Sequence, residues 1–264
     1  LYNILGASNA GLMQFGAAIS NYQQALKLKS DFVEVYINLG AAHHKNGDLN
    51  LAIDSFKLAL QINPNSAEVY NNMGMVFHDD DELEASINSY TEALKINPEF
   101  VEAHNNIGII LYEKGELNAA INSYKKALSI KFDYAEAHCN MGVAQRDKGE
   151  VGNAIDSYKN AIKVNPAYAE AYNNMGVVMN DKGDLESAID SFKKALHIKP
   201  TYSEAYYNMG IALTGKGDLG LAIRCYEQAI NMKPDYSEAY NNLGIAFKDQ
   251  GDLEDAIKSF KQAL

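Results

Sequence analysis

Tryptophan is absent from the 264 residues, cysteine occurs twice and proline five times, and lysine plus arginine fall 11 short of aspartate plus glutamate. Each scarcity closes off a class. Two cysteines far apart in sequence, Cys139 and Cys225, build no disulfide framework, and a reducing, cytoplasmic setting is the default. No Asn-x-Ser/Thr acceptor occurs, which agrees with that setting. No stretch rich in Ser, Gly or Pro separates two halves. No apolar run approaches the roughly 18 residues of a membrane span, and no basic-then-apolar leader opens the chain. A net charge of -11 argues against binding nucleic-acid phosphates or an anionic membrane surface, both of which need a basic face.

What is present is a period. Glycine recurs at Gly40, Gly74, Gly108, Gly142, Gly176, Gly210 and Gly244, every 34 residues, and Gly6 extends the series backwards. Asparagines accompany these glycines, as in EAYNNMG at 170–176 and EAYNNLG at 238–244. Both residues are poor helix formers, Gly by about 1 kcal/mol relative to Ala, so their repetition calls for a reason beyond propensity.

Each unit has two amphipathic halves. In the unit 169–202, Ala171, Tyr172, Met175, Val178 and Met179 share one helical face. Gly183 suits the left-handed residue that follows a helix, and Asp184 suits a cap of the next one. Leu185, Ala188, Ile189, Phe192, Ala195 and Leu196 form a second stripe, and Pro200 discourages continuation. A pair of short helices cannot bury its stripes alone, so the units are expected to stack. The helical glycine is expected to face the small residues of its partner helix, Ala188 and Ala195, and to let the two helices approach closely.

The pattern Tyr172, Met175, Gly176, Met179, Ala188, Phe192, Pro200 resembles the tetratricopeptide repeat, over essentially the whole chain. The resemblance implies an all-α fold: a right-handed superhelical solenoid of stacked antiparallel helix pairs with a concave inner surface. A single solenoid is expected over 1–264. It comprises a partial, degenerate first repeat (1–32), full repeats at 33–66, 67–100, 101–134, 135–168, 169–202 and 203–236, and a truncated last one at 237–264. Departures are local. Asp81 stands in place of a loop glycine, Phe132 in place of the proline, His104 and His138 in place of the tyrosine, and 8–18 is irregular. The chain begins inside one repeat and stops inside another, so a longer protein is expected, with open repeat ends that favour self-association.

On the first helix of each pair one face remains after the core is assigned. It carries an unbroken column: Asn38, Asn72, Asn106, Asn140, Asn174, Asn208 and Asn242. A second asparagine precedes it at Asn71, Asn105, Asn173 and Asn241, varied by Ile37, Cys139 and Tyr207. One turn earlier lie Glu34, Glu68, Glu102, Glu136, Glu170, Glu204 and Glu238, where helix-dipole stabilisation is the simpler role. The tyrosines Tyr36, Tyr70, Tyr172, Tyr206 and Tyr240 belong to the core. An amide donates and accepts, so an asparagine can grip a peptide backbone on both sides. Helix axes pack about 8–10 Å apart and an extended chain rises about 3.3 Å per residue, so a rung would meet roughly every third residue. Backbone contacts of this kind confer affinity with little sequence preference.

The first column also resembles the asparagine ladder in the tetratricopeptide region of O-linked N-acetylglucosamine transferases, which implies binding of extended polypeptide. The expected function is thus an interaction scaffold. Its alternative is the substrate-recognition arm of a larger enzyme, such as a glycosyltransferase, whose catalytic part is elsewhere. A carboxylate-clamping chaperone receptor is disfavoured, because only Lys45, Arg146 and Lys248 offer cations to the groove. No nucleophile–base pair and no cofactor motif is visible. GIALTGKG at 210–217 superficially resembles a phosphate loop but lacks the Ser/Thr after Lys216 and follows a helix. His44 and His78 supply too few ligands for a metal and read as a polar groove wall. Cys139 is expected at the groove without an activating neighbour.

Overall fold

The computed structural model describes residues 1–264 and contains sixteen α-helices and no strand. They are α1 (Tyr2–Gly11), α2 (Phe15–Leu28), α3 (Val33–Asn46), α4 (Leu49–Ile62), α5 (Ala67–Asp79), α6 (Leu83–Ile96), α7 (Val101–Glu113) and α8 (Leu117–Ile130). There follow α9 (Ala135–Asp147), α10 (Val151–Val164), α11 (Ala169–Asp181), α12 (Leu185–Ile198), α13 (Ser203–Lys216), α14 (Leu219–Met232), α15 (Ser237–Gln250) and α16 (Leu253–Gln262). They form two compact units, Leu1–Phe132 and Asp133–Leu264, of four helix pairs each.

The unit 169–202 shows why the chain folds this way. Gly183 takes φ +79° and ends α11. Its N–H donates to the Asn180 carbonyl at 2.8 Å, and the next N–H, of Asp184, donates to the Met179 carbonyl at 2.9 Å. Those bonds satisfy carbonyls that the helix end would leave orphaned. The Asp184 carboxylate then accepts the Ser187 N–H at 3.2 Å and starts α12. Hydrogen bonds from Ser187 hold that carboxyl below its ordinary value. Ala188, Ile189, Phe192 and Ala195 are buried, as their stripe requires.

The helical glycines have a different partner from the alanines expected. A Cβ on Gly176 would lie 2.6 Å from the Phe192 ring, and Gly142 and Gly210 stand equally close to the Tyr158 and Tyr226 rings. Gly40, Gly74 and Gly108 meet Phe56, Tyr90 and Tyr124 in the same way. Each helix pair thus closes by packing an aromatic ring, sixteen residues on, directly against bare backbone. The alanines serve elsewhere in the buried stripe.

Two loops lack their glycine. Met13 at φ +58° and Asp81 at φ +60° stand where the other repeats have Gly47, Gly115, Gly149, Gly183, Gly217 and Gly251. Asp tolerates this conformation better than most residues; methionine has no such compensation. Met13→Gly is expected to stabilise the first pair by about 1 kcal/mol, and Asp81→Gly its own pair by less. Thermal unfolding of the two variants reads the difference.

Within each unit the packing is asymmetric. Every first helix touches the first helix of the next pair: α1 with α3, α3 with α5 and α5 with α7 in the first unit, α9 with α11, α11 with α13 and α13 with α15 in the second. Second helices touch only first helices and never one another. First helices therefore line the inside of each unit's curve, and second helices form an outer row with gaps between them.

Candidate groove along the first helices

The asparagine column occupies that inner row. Asn38, Asn72 and Asn106 in the first unit are half-buried, as are Asn140, Asn174, Asn208 and Asn242 in the second. Five of these side chains are steered by the repeat before them. The Nδ2 of Asn38 donates to Asn3 Oδ1 at 3.2 Å, and that of Asn106 to Asn71 Oδ1 at 3.3 Å. In the second unit the Asn174 amide donates to Cys139 Sγ at 3.6 Å, Asn208 to Asn173 Oδ1 at 3.0 Å and Asn242 to the Tyr207 hydroxyl at 3.2 Å. All five pairs are separated by 35 residues, one repeat plus one residue. Ile37 has no acceptor to offer Asn72.

The second asparagine column therefore lies deeper than its sequence position suggested. Asn71, Asn105 and Asn173 are 6%, 0% and 5% exposed, and cannot meet a ligand in this conformation. The next first helix covers Asn71 and Asn173. Only Asn241, on α15, is exposed. Cys139, expected at the groove, is buried as well. Burial pushes its thiol up to about 11, Glu170 and Glu136 add to the shift, and hydrogen bonds from Asn174 and Tyr168 oppose it. It is an acceptor in the tether system and no nucleophile at neutral pH.

Glu34, Glu68, Glu102, Glu136, Glu170, Glu204 and Glu238 are all exposed on the first turns of the inner helices. Burial, then Glu170 and Glu204, drives the Tyr202 phenol up to about 12. At the opposite end of the same helices stand Asp79, Glu113, Asp147, Asp181 and Asp249, a column the sequence reading passed over. His44 Nε2 pairs with Asp79 at 2.6 Å and His78 Nε2 with Glu113 at 2.8 Å, again 35 residues apart. These histidines are inter-repeat ties. No three His, Cys, Asp or Glu side chains converge on a metal-sized site. Tyr36, Tyr70, Tyr172, Tyr206 and Tyr240, expected in the core, are half-buried at its edge.

The remaining sequence candidates are placed plainly. Arg146 is paired with Asp147 at 2.8 Å. Gly210 and Gly215 are helical and Gly217 ends α13, so the glycine-rich stretch is a helix terminus and no phosphate cradle. Its Lys216 ammonium lies 2.6 Å from Glu186. No helix is long and apolar enough to cross a membrane.

In each unit, helix pairs tied at 35-residue intervals, with amides along the inner side, define an array of short helical repeats. Family profiles agree: the one described as TPR repeat matches 14–47, 76–115, 108–146, 144–180, 178–217 and 212–251, and those described as Tetratricopeptide repeat match 33–66 and 239–264. The chain belongs to the tetratricopeptide repeat family. Among solved structures it is similar to MamA, at 32% identity over 60% of this chain and 92% of that one, with a TM-score of 0.55. The Cut9 component of the APC/C hetero-tetramer Cut9–Hcn1 shares the fold over 95% of this chain and 49% of its own, at 17% identity and a TM-score of 0.73. YrrB, described as a TPR protein with an unusual peptide-binding site, matches at 23% identity over 70% of this chain and 95% of its own, TM-score 0.55. No curated protein matches.

Proposed function

We propose that the chain is a protein-interaction scaffold that holds extended polypeptide along its first helices, with Asn38, Asn72, Asn106, Asn140, Asn174, Asn208 and Asn242 as the rungs. The observation that carries this reading is the one-sided tether. An amide has two N–H groups and two acceptor lone pairs, and one inward N–H bond fixes the side chain while leaving capacity for a peptide unit. Preorganised polar groups bind more strongly than mobile ones, because less ordering entropy is lost. Asn71 and Asn173, with Cys139 and Tyr207, act as positioning residues beneath the rungs. The segment is non-enzymatic, and a cytoplasmic setting fits its two free thiols.

The resemblance of the asparagine column to that of O-linked N-acetylglucosamine transferases supports a second reading, in which the same groove selects substrates for a catalytic domain encoded elsewhere in a longer reading frame. The complete reading frame separates the two.

The groove is tested by capture of unfolded polypeptide. A mixture of long tryptic fragments is passed over the parent chain and over a variant with Asn106, Asn140, Asn174 and Asn208 changed to Ala. Circular dichroism first establishes that both melt cooperatively. The expected result is at least a tenfold loss of captured fragments in the variant. Equal capture by the two would assign the asparagines to inter-repeat bonding alone.

A further inference from the structure

The gaps between second helices are not alike. One of them, between α12 and α14 in the second unit, opens over α13 into a cavity of about 330 Å³. Ile189, Leu213 and Cys225 form its buried floor, and Leu221 stands at its side, 47% exposed. Such a volume lies at the small end of pockets that take organic ligands, about 300–1,000 Å³.

The internal repeats supply a reference for what this surface would otherwise be. Five preceding second helices carry Asp54, Asn88, Asn122, Asp156 and Asp190 where α14 carries Arg224. The other second helices from α4 onward carry serine where α14 carries Cys225. Four of those serines, Ser55, Ser89, Ser191 and Ser259, turn their hydroxyls back to a carbonyl of their own helix, at 2.7–2.8 Å. The cysteine replaces a polar atom with an apolar one on the cavity floor. Leu221 stands where α12 has Ser187 and α10 has Asn153, at a position that α4 also fills with leucine, Leu51. Two departures from the preceding repeats, Arg224 and Cys225, thus meet beside Leu221 in one cavity, and together they make it more apolar and more basic.

The charges at the mouth are unequal. Lys216 is held by Glu186 at 2.6 Å and lies 3.7 Å from Asp218. Lys193 and Arg224 also line the cavity and have no carboxylate within ion-pairing distance. In a chain of net charge -11, two uncompensated cations beside an apolar cleft are a local reversal of sign. Arginine in particular offers a planar fork that matches a carboxylate.

We propose that this outer cleft is a second binding site, distinct from the asparagine groove, and that its occupant is a short acidic peptide segment that inserts one bulky apolar side chain between α12 and α14 and sets its carboxylates on Lys193 and Arg224. The apolar side chain supplies affinity through burial, and the carboxylates fix orientation and select against basic sequences. The peptide need not be extended, since nothing in this cleft reads a backbone.

The test uses the whole chain and a fluorescein-labelled eight-residue probe in which a leucine–phenylalanine pair is flanked by aspartates. One control replaces the aspartates with lysines, and another replaces the apolar pair with alanines. Fluorescence anisotropy is expected to give at least tenfold weaker binding for each control. A Leu221→Ser, Arg224→Asp variant restores the residues of α12 at those positions, so it retains a helix the fold already accepts. It should bind the aspartate probe at least tenfold more weakly and still capture extended fragments in the groove. The Asn174→Ala, Asn208→Ala variant should show the converse. Amide shifts on probe addition, confined to 185–194 and 209–226, would place the site without any variant. Equal binding of the aspartate and lysine probes, loss of probe binding in the asparagine variant, or shifts only along the first helices would each overturn the proposal. Retained binding of the aspartate probe by the Leu221→Ser, Arg224→Asp variant would do the same.

Discussion

Phe192→Ala is expected to destabilise the second unit by about 3–5 kcal/mol, the range for removing a fully buried aromatic ring. The ring is 0% exposed and lies against the backbone of Gly176, so its loss leaves a void that neither helix can close without moving. The glycine provides the cross-check. Gly176→Ala gains about 1 kcal/mol in helix propensity, yet its Cβ would sit 2.6 Å from the ring, and overpacking of a filled site costs about 1–3 kcal/mol. The net sign is destabilising. In a Phe192→Leu background the clash disappears and the same Gly→Ala change should become neutral or stabilising. Chemical unfolding of the four members of this cycle, followed by circular dichroism, measures the coupling. Additive effects would mean that ring and glycine do not constrain each other, and the account of helix-pair closure would be wrong.

Above pH 9 the chain is expected to lose stability steeply and to unfold before pH 12. Burial pushes the Cys139 and Cys225 thiols from 9.0 up to about 11, and the Tyr226 and Tyr236 phenols from 10.0 up to about 12. Tyr90 and Tyr168 are shifted further in the same direction, again chiefly by burial. A group whose pKa is raised on folding stabilises the fold fully below its unfolded value and loses that contribution as pH rises towards the folded value. For the thiols that window runs from about 9 to 11, at about 1.4 kcal/mol per pH unit each. The thiol and phenol losses all act in the same direction as pH rises. Melting temperatures at pH 7, 9, 10 and 11 should fall with increasing slope, and phenolate absorbance should rise together with unfolding. Thiol alkylation at pH 8 should be at least tenfold slower in the folded chain than in denaturant. Phenols that titrate smoothly near 10 with the helices intact would contradict this.

The period carried most of the fold. Gly183, Asp184 and the stripe from Leu185 to Leu196 are local signals, and a repeat states them several times over. What failed was the relation between segments. That Gly176 meets Phe192 and leaves Ala188 and Ala195 to other contacts depends on how one helix is rotated against its partner, which no single-helix pattern encodes. The burial of Asn71 and Asn173 depends on the next repeat lying over them. The signal was nevertheless present, since a donor column and an acceptor column offset by 35 residues are visible once stacking is assumed. The outer cleft was legible in another way. Arg224 and Cys225 break a pattern that the second helices from α4 to α12 keep, and a search for exceptions, instead of matches, finds them.

The absence of contact between second helices gives each unit a mechanical character. The inner row acts as a spine of consecutive hinges, and the outer row as vanes, each seated on one or two first helices of its unit and clear of its own kind. Rocking of neighbouring pairs about the spine severs no vane-to-vane packing, so the stiffness of a unit resides in the seating of each second helix on the first helix that follows it, together with the 35-residue ties. Flexing the spine to follow a ligand must then change the spacing between vanes. The inner face and the α12–α14 cleft are two sides of one lever, and the width of one is geometrically tied to the curvature of the other.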